Sequence, residues 1–107
     1  MLQGKRSEAL PETLSAEFSE VLVTRRGVKF ERIASQGQSS PPGFWYDQEQ
    51  HEFVFLVQGH AVLEFEHTGQ VELGPGDWIQ IDAHVRHRVH STAPDTTTLW
   101  LVAFFDA

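Results

Sequence analysis

The chain contains no cysteine, which removes disulfides, thiolate nucleophiles and every cysteine-based zinc motif from consideration. Positive charge is scarce. Eight Lys and Arg face 15 Asp and Glu, and the resulting net charge of -7 repels phosphate backbones and anionic headgroups. Nucleic acid and membrane surfaces are therefore poor partners. Long apolar runs are missing too: the longest, Leu99 to Phe105, covers seven residues against the roughly 20 needed to span a bilayer. The N-terminal stretch carries Lys5, Arg6, Glu8, Glu12, Glu17 and Glu20 and no apolar run, so it does not read as a secretory signal, and a cytoplasmic location is expected. No nucleophilic-serine motif, Walker sequence or Gly-rich phosphate loop occurs, which leaves acyl transfer and nucleotide hydrolysis without support.

What is present suits one hydrophobic core. At 107 residues and 40% hydrophobic content the chain is too short for two cores, so a single domain over residues 1–107 is expected. Residues 1–10 are polar and aperiodic and read as a flexible tail, and Pro11-Glu12-Thr13-Leu14 reads as one short helical turn. From Phe18 onward the period is two. Val21 to Val23 and Val28 to Ile33 flank a turn at Arg26-Gly27, and a proline- and glycine-bearing loop from Ser35 to Gly43 leads into Phe44 to Asp47. Further strands are expected at His51 to Val57, Ala61 to Glu66, Val71 to Leu73, Trp78 to Ile81, Val85 to Val89 and Thr97 to Phe105. About nine short strands at this spacing, with no helical period of useful length, predict an all-β sandwich or barrel.

His87 shares a strand face with Val85 and Val89 while Arg86 and Arg88 point the other way, so its imidazole is expected inside. Buried there, it needs a hydrogen-bond partner or a metal, because leaving it unsatisfied costs about 1–3 kcal/mol. Glu52 shares a face with Val54 and Leu56 by the same alternation. The opposite face, His51, Phe53, Phe55 and Val57, is also mostly apolar, so either face could be the inner one. A carboxylate turned inward must neutralise, pair with a cation or bind a metal. His60, His67 and His90 read as surface histidines.

Glu52 is followed after six residues by Gly59; Leu73-Gly74-Pro75-Gly76-Asp77 is a dense turn; and Ile81-Asp82-Ala83-His84-Val85-Arg86-His87-Arg88-Val89 follows. Together these stretches resemble the two motifs of the cupin family, over roughly residues 28 to 105. The resemblance implies a double-stranded β-helix, or jelly-roll barrel. It also places Glu52 at the metal-binding glutamate of the first motif and His87 at the histidine of the second. The His-x-His slot of metal-binding cupins reads Trp45-Tyr46-Asp47-Gln48 here, and Asp82, His84 and Ser91 replace the usual proline, glycine and asparagine of the second motif.

By that resemblance one divalent transition metal (Zn, Fe, Mn or Ni) is expected at Glu52 and His87, with Asp47 matching the second histidine slot; His84, three residues before His87 across a turn, and His51, where a bulge re-aims it, are further candidate ligands, and Trp45 and Tyr46 are expected to line the cavity. The implied function is binding of, or action on, a small organic molecule. The alternative is a metal-free cupin that binds a small molecule or regulates without catalysis, since one fold hosts both classes. A homodimer is expected as well: Phe53 to Val57 is apolar on both faces and the strand around Trp100 is aromatic, so a thin barrel alone leaves apolar surface uncovered.

Overall fold

The computed structural model describes residues 3–4 and 14–107. The tail expected at residues 1–10 and the helical turn expected at Pro11–Leu14 fall largely outside those residues, and the described residues contain no helix. No helix is therefore long and apolar enough to cross a membrane among them. Eight strands form instead: β1 (Phe18–Arg25), β2 (Val28–Ser35), β3 (His51–Gln58), β4 (Ala61–Phe65), β5 (Gly69–Leu73), β6 (Trp78–Ile81), β7 (His87–Thr92) and β8 (Thr98–Phe105).

They make two antiparallel sheets, one of five strands in the order β1-β2-β8-β3-β6 and one of three in the order β5-β4-β7. The central strands β3 and β8 carry Val, Leu, Phe or Trp at most positions, apolar side chains that suit a pleated, half-buried surface. Their inward sets are Val54 and Leu56 from β3 and Trp100 and Val102 from β8. These meet Ala61, Leu63, Phe65, Leu73 and Ile81 in one cluster between the sheets. Full burial of a side chain such as Leu56 or Val102 contributes about 1.5–3 kcal/mol. The open question about β3 is thus answered: Glu52 stands on the inner face with Val54 and Leu56, and Phe53 and Phe55 stand on the outer one.

Two expectations change at the site. The segment Phe44–Asp47 is not a ninth strand; its backbone pairs with the strands through one isolated bridge, between Tyr46 and His87. Pro41, Pro42 and Gly43 precede it, and Phe44 N–H donates to the Pro41 carbonyl in a turn, so no run of ladder donors is available. Val85 is not a strand residue either. His84 adopts φ 65° and Val85 N–H closes a turn onto the Asp82 carbonyl, which leaves Val85 40% exposed. The inward aim of His87 comes from its pairing with Phe65 and that of Val89 with Leu63, on β4.

Gly59 joins β3 to β4 at φ 91°, and a Cβ built there would lie 2.6 Å from the Thr98 Cα. Both backbone conformation and space require glycine at this turn. The turn fixes where β3 ends, and with it the inward parity of Glu52.

Candidate functional site

The barrel encloses an open cavity of about 770 Å³ whose wall includes both Glu52 and His87. Glu52 comes from β3 in the larger sheet and His87 from β7 in the smaller, and their side chains meet with Oε1 and Nε2 3.1 Å apart. Both are nearly enclosed, at 14% and 7% side-chain exposure. The other ring nitrogen of His87, Nδ1, lies 2.8 Å from the Val85 carbonyl oxygen. A carbonyl only accepts, so Nδ1 carries the proton and donates it, which leaves Nε2 as the nitrogen that exchanges a proton with Glu52.

Burial works against the charged imidazolium, but the hydrogen bond to Glu52, the Val85 carbonyl and the negative charge of Glu52 together outweigh it. His87 therefore holds its proton above the ordinary value of 6.5. Tyr46 lies against this pair. Its ring stacks on the imidazole with centroids 5.5 Å apart, and its backbone exchanges two hydrogen bonds with His87. Removal from water, then the charges of Glu17 and Glu52, push the Tyr46 hydroxyl above its ordinary value and keep it a neutral donor.

The remaining expected site residues go elsewhere. Asp47 and His84 pair with each other, Oδ1 to Nδ1 at 2.7 Å, and both are at least half exposed, away from the cavity wall. His51 stands on the outer face of β3, where its Nδ1 accepts the Ala83 N–H and its ring leans on Phe105. Trp45 is half-buried but does not line the cavity.

The residue that sequence reasoning missed is Gln48. It lines the cavity together with Tyr46, two positions earlier, and its Oε1 is buried with no hydrogen-bond partner among the described residues. Alternation across Trp45-Tyr46-Asp47-Gln48 was the available signal: Tyr46 and Gln48 face in, and Asp47 faces out. The mouth residues Glu17, Lys29 and Glu31 were missed as well, because β1 and β2 carry no motif.

Among the described residues no group of three or more His, Asp or Glu side chains is placed to hold a metal ion. Protein metal centres with an open catalytic position usually offer three ligands, and the cavity brings only Glu52 and His87 together. The inward positions of the His-x-His slot hold a phenol and a carboxamide. The donor set present thus falls short of a zinc, iron, manganese or nickel site.

A two-sheet antiparallel barrel with a histidine–carboxylate pair on its cavity wall is the cupin architecture. The cupin domain family matches residues 30–104, and the chain belongs to that family. A solved structure from Ralstonia eutropha JMP134, named a "putative mannose-6-phosphate isomerase", is 43% identical, with 98% of each chain covered and a TM-score of 0.94. A cupin superfamily protein from Desulfitobacterium hafniense DCB-2 is 17% identical over 92% of this chain and 84% of its own, with a TM-score of 0.75. The polyketide cyclase RemF from Streptomyces resistomycificus is 19% identical over 100% of this chain and 80% of its own, also at 0.75. The latter two similarities concern the fold. No curated protein matches the chain.

Proposed function

We propose that this cupin binds one small organic molecule in its barrel, with the polar end of the ligand against the Glu52–His87 pair, and that it needs no divalent metal to do so. The observation that carries the reading is the pair itself, a histidine and a carboxylate 3.1 Å apart at the wall of an open cavity. With Nδ1 committed to Val85, Nε2 and Glu52 can pass one proton between them and to a bound ligand, and the neutral Tyr46 hydroxyl supplies a further donor. Such a set suits binding of a hydroxyl or carbonyl, and it supplies the groups that a proton-transfer step such as isomerisation uses. The likeness to the Ralstonia protein supports a small-molecule role.

Two measurements test this. Protein purified without a histidine tag or chelator is expected to carry no stoichiometric metal; a stoichiometric metal lost on His87→Ala overturns the metal-independent reading. Titration with 4-ethylphenol, followed by amide-resolved NMR, is expected to shift Tyr46, His87 and Val102. Shifts confined to the outside of the barrel overturn the cavity reading.

A further inference from the structure

The mouth of the cavity is more sharply charged than its interior. Among the described residues five carboxylates line the cavity, those of Glu17, Glu31, Glu49, Glu52 and Asp106, against Lys29 and His87. Glu52 is taken up by His87. Lys29 is held by Glu31 at 3.5 Å and lies over the Phe104 ring at 5.1 Å, so its charge is already engaged. Glu17 is set in place from below: the fully buried Ser35 hydroxyl donates to its Oε2 at 3.2 Å, and Ser35 in turn accepts the Trp100 indole N–H at 3.2 Å. Desolvation first, then repulsion from Glu31, raise the Glu17 carboxyl against the lowering effect of the Ser35 hydrogen bond. Glu17 and Glu31 share a wall on which five carboxylates outnumber Lys29 and His87, an excess that an added cation relieves.

The two cationic groups on the wall, Lys29 and His87, are each paired with a carboxylate. Among the described residues no arginine lines the cavity. Arg88 is engaged by Glu64 and the Ser40 carbonyl, Arg86 by Glu66, and Arg32 by Glu20, all away from the wall. The described residues contain no helix, so no helix N-terminus can cradle a phosphate. The wall also carries apolar side chains, those of Ile33, Val54, Leu63, Val102 and Phe104, besides the polar pair.

We propose that the cavity selects an amphiphilic organic cation, its ammonium group held at the mouth between Glu17 and Glu31, its apolar body along the inner wall and a hydroxyl or carbonyl reaching Glu52, His87 and Tyr46. This rests on the cavity being a small-molecule site. It also disfavours phosphosugars: a phosphate ester at this wall meets mostly like charge and, among the described residues, no guanidinium, and repulsive elements of this kind set specificity as firmly as attractive ones.

The test uses the full chain and a matched set of phenols at low ionic strength: tyramine, neutral 4-ethylphenol and 3-(4-hydroxyphenyl)propanoate, with mannose 6-phosphate as a second anion. Tyramine is expected to bind at least about tenfold more tightly than the propanoate. That advantage is expected to shrink with added salt and in the Glu17→Gln/Glu31→Gln double variant, whose amide NMR spectrum away from the cavity stays that of the wild type and reports an intact barrel. Equal binding of tyramine and the propanoate, tighter binding of either anion, or a tyramine preference that survives the double variant overturns the charge selection. In each of those cases, 4-ethylphenol shifting Tyr46 and His87 leaves the cavity reading standing. No cavity shift from any probe at millimolar concentration overturns both.

Discussion

Glu52 and His87 belong to different sheets, and the 3.1 Å contact between them is an ion-pairing link across the inside of the barrel. Such a pair is weak evidence for net stability, because desolvation offsets its attraction, but removing one partner strands the other. Glu52→Ala is accordingly expected to lower stability by about 1–3 kcal/mol in urea unfolding, while Glu52→Gln, which keeps the shape and a hydrogen-bonding oxygen, costs less. In both variants the His87 imidazole, followed by NMR, is expected to titrate lower than in the wild type. An unchanged titration would show that Glu52 is not its partner in solution.

The same pair fixes a pH dependence. The His87 pKa in the folded protein is raised above the ordinary 6.5, so protonation favours the folded state. This contribution is fully present below 6.5 and is lost as pH rises through the raised folded value. The stability difference between wild type and His87→Gln is therefore expected to be largest at about pH 5.5 and to shrink toward alkaline pH. A difference that grows with pH would reverse the assignment.

Gly59 offers a test of the scaffold rather than the site. Any Cβ there meets Thr98, and φ 91° is a region that side chains rarely adopt. Gly59→Ala is expected to cost about 2 kcal/mol or more, a fall of roughly 8–16 °C in Tm for a domain near this size. A Tm within a few degrees of wild type would mean that the β3–β4 turn relaxes freely.

The outer face of the larger sheet carries Trp78 at 62% exposure, stacked on Phe53 at 5.5 Å, with Phe30 and Leu101 about a third exposed nearby on the same face. We propose a second copy of the chain as its cover, since an apolar surface of this kind marks an association site. Light scattering at tens of micromolar is expected to give a dimer for the wild type and a monomer for Trp78→Glu. A monomeric wild type removes the proposal.

Much of this architecture was legible in the sequence because strand parity is a local property. Val54 and Leu56 pull Glu52 to the inside once the β3 face is chosen, and Gly59 marks the strand's end. His87 was placed inward by alternation with Val85, yet Val85 lies in a turn; the side is right because Val89, on the same strand, carries the same parity. What was not legible depends on the path of the chain through space. The αL residue His84 turns its side chain to Asp47 at the surface, and nothing in its type announces that conformation. Glu17 and Glu31 reach the cavity mouth only because β2 pairs with β8, some seventy residues later in the chain.

Gln48 supplies the last prediction. In metal-binding cupins two histidines occupy alternate positions of the first motif, and here the two alternate residues on the cavity wall are Tyr46 and Gln48. Tyr46 stacks on His87, and Gln48 carries a buried acceptor without a partner among the described residues, so both positions aim at the space beside the Glu52–His87 pair. Replacing both with histidine would complete a four-donor set of three imidazoles and one carboxylate, which satisfies zinc, iron or manganese. The Tyr46→His/Gln48→His double variant is therefore expected to gain stoichiometric zinc binding by calorimetry. Zinc at a hundred times its Kd should then stabilise the variant by about 2.7 kcal/mol, and the wild type should gain nothing comparable. Adding His87→Ala is expected to abolish that gain. Zinc bound equally by wild type and double variant would show that Glu52 and His87 already suffice as a site, and zinc bound by neither would show that positions 46 and 48 do not converge with them.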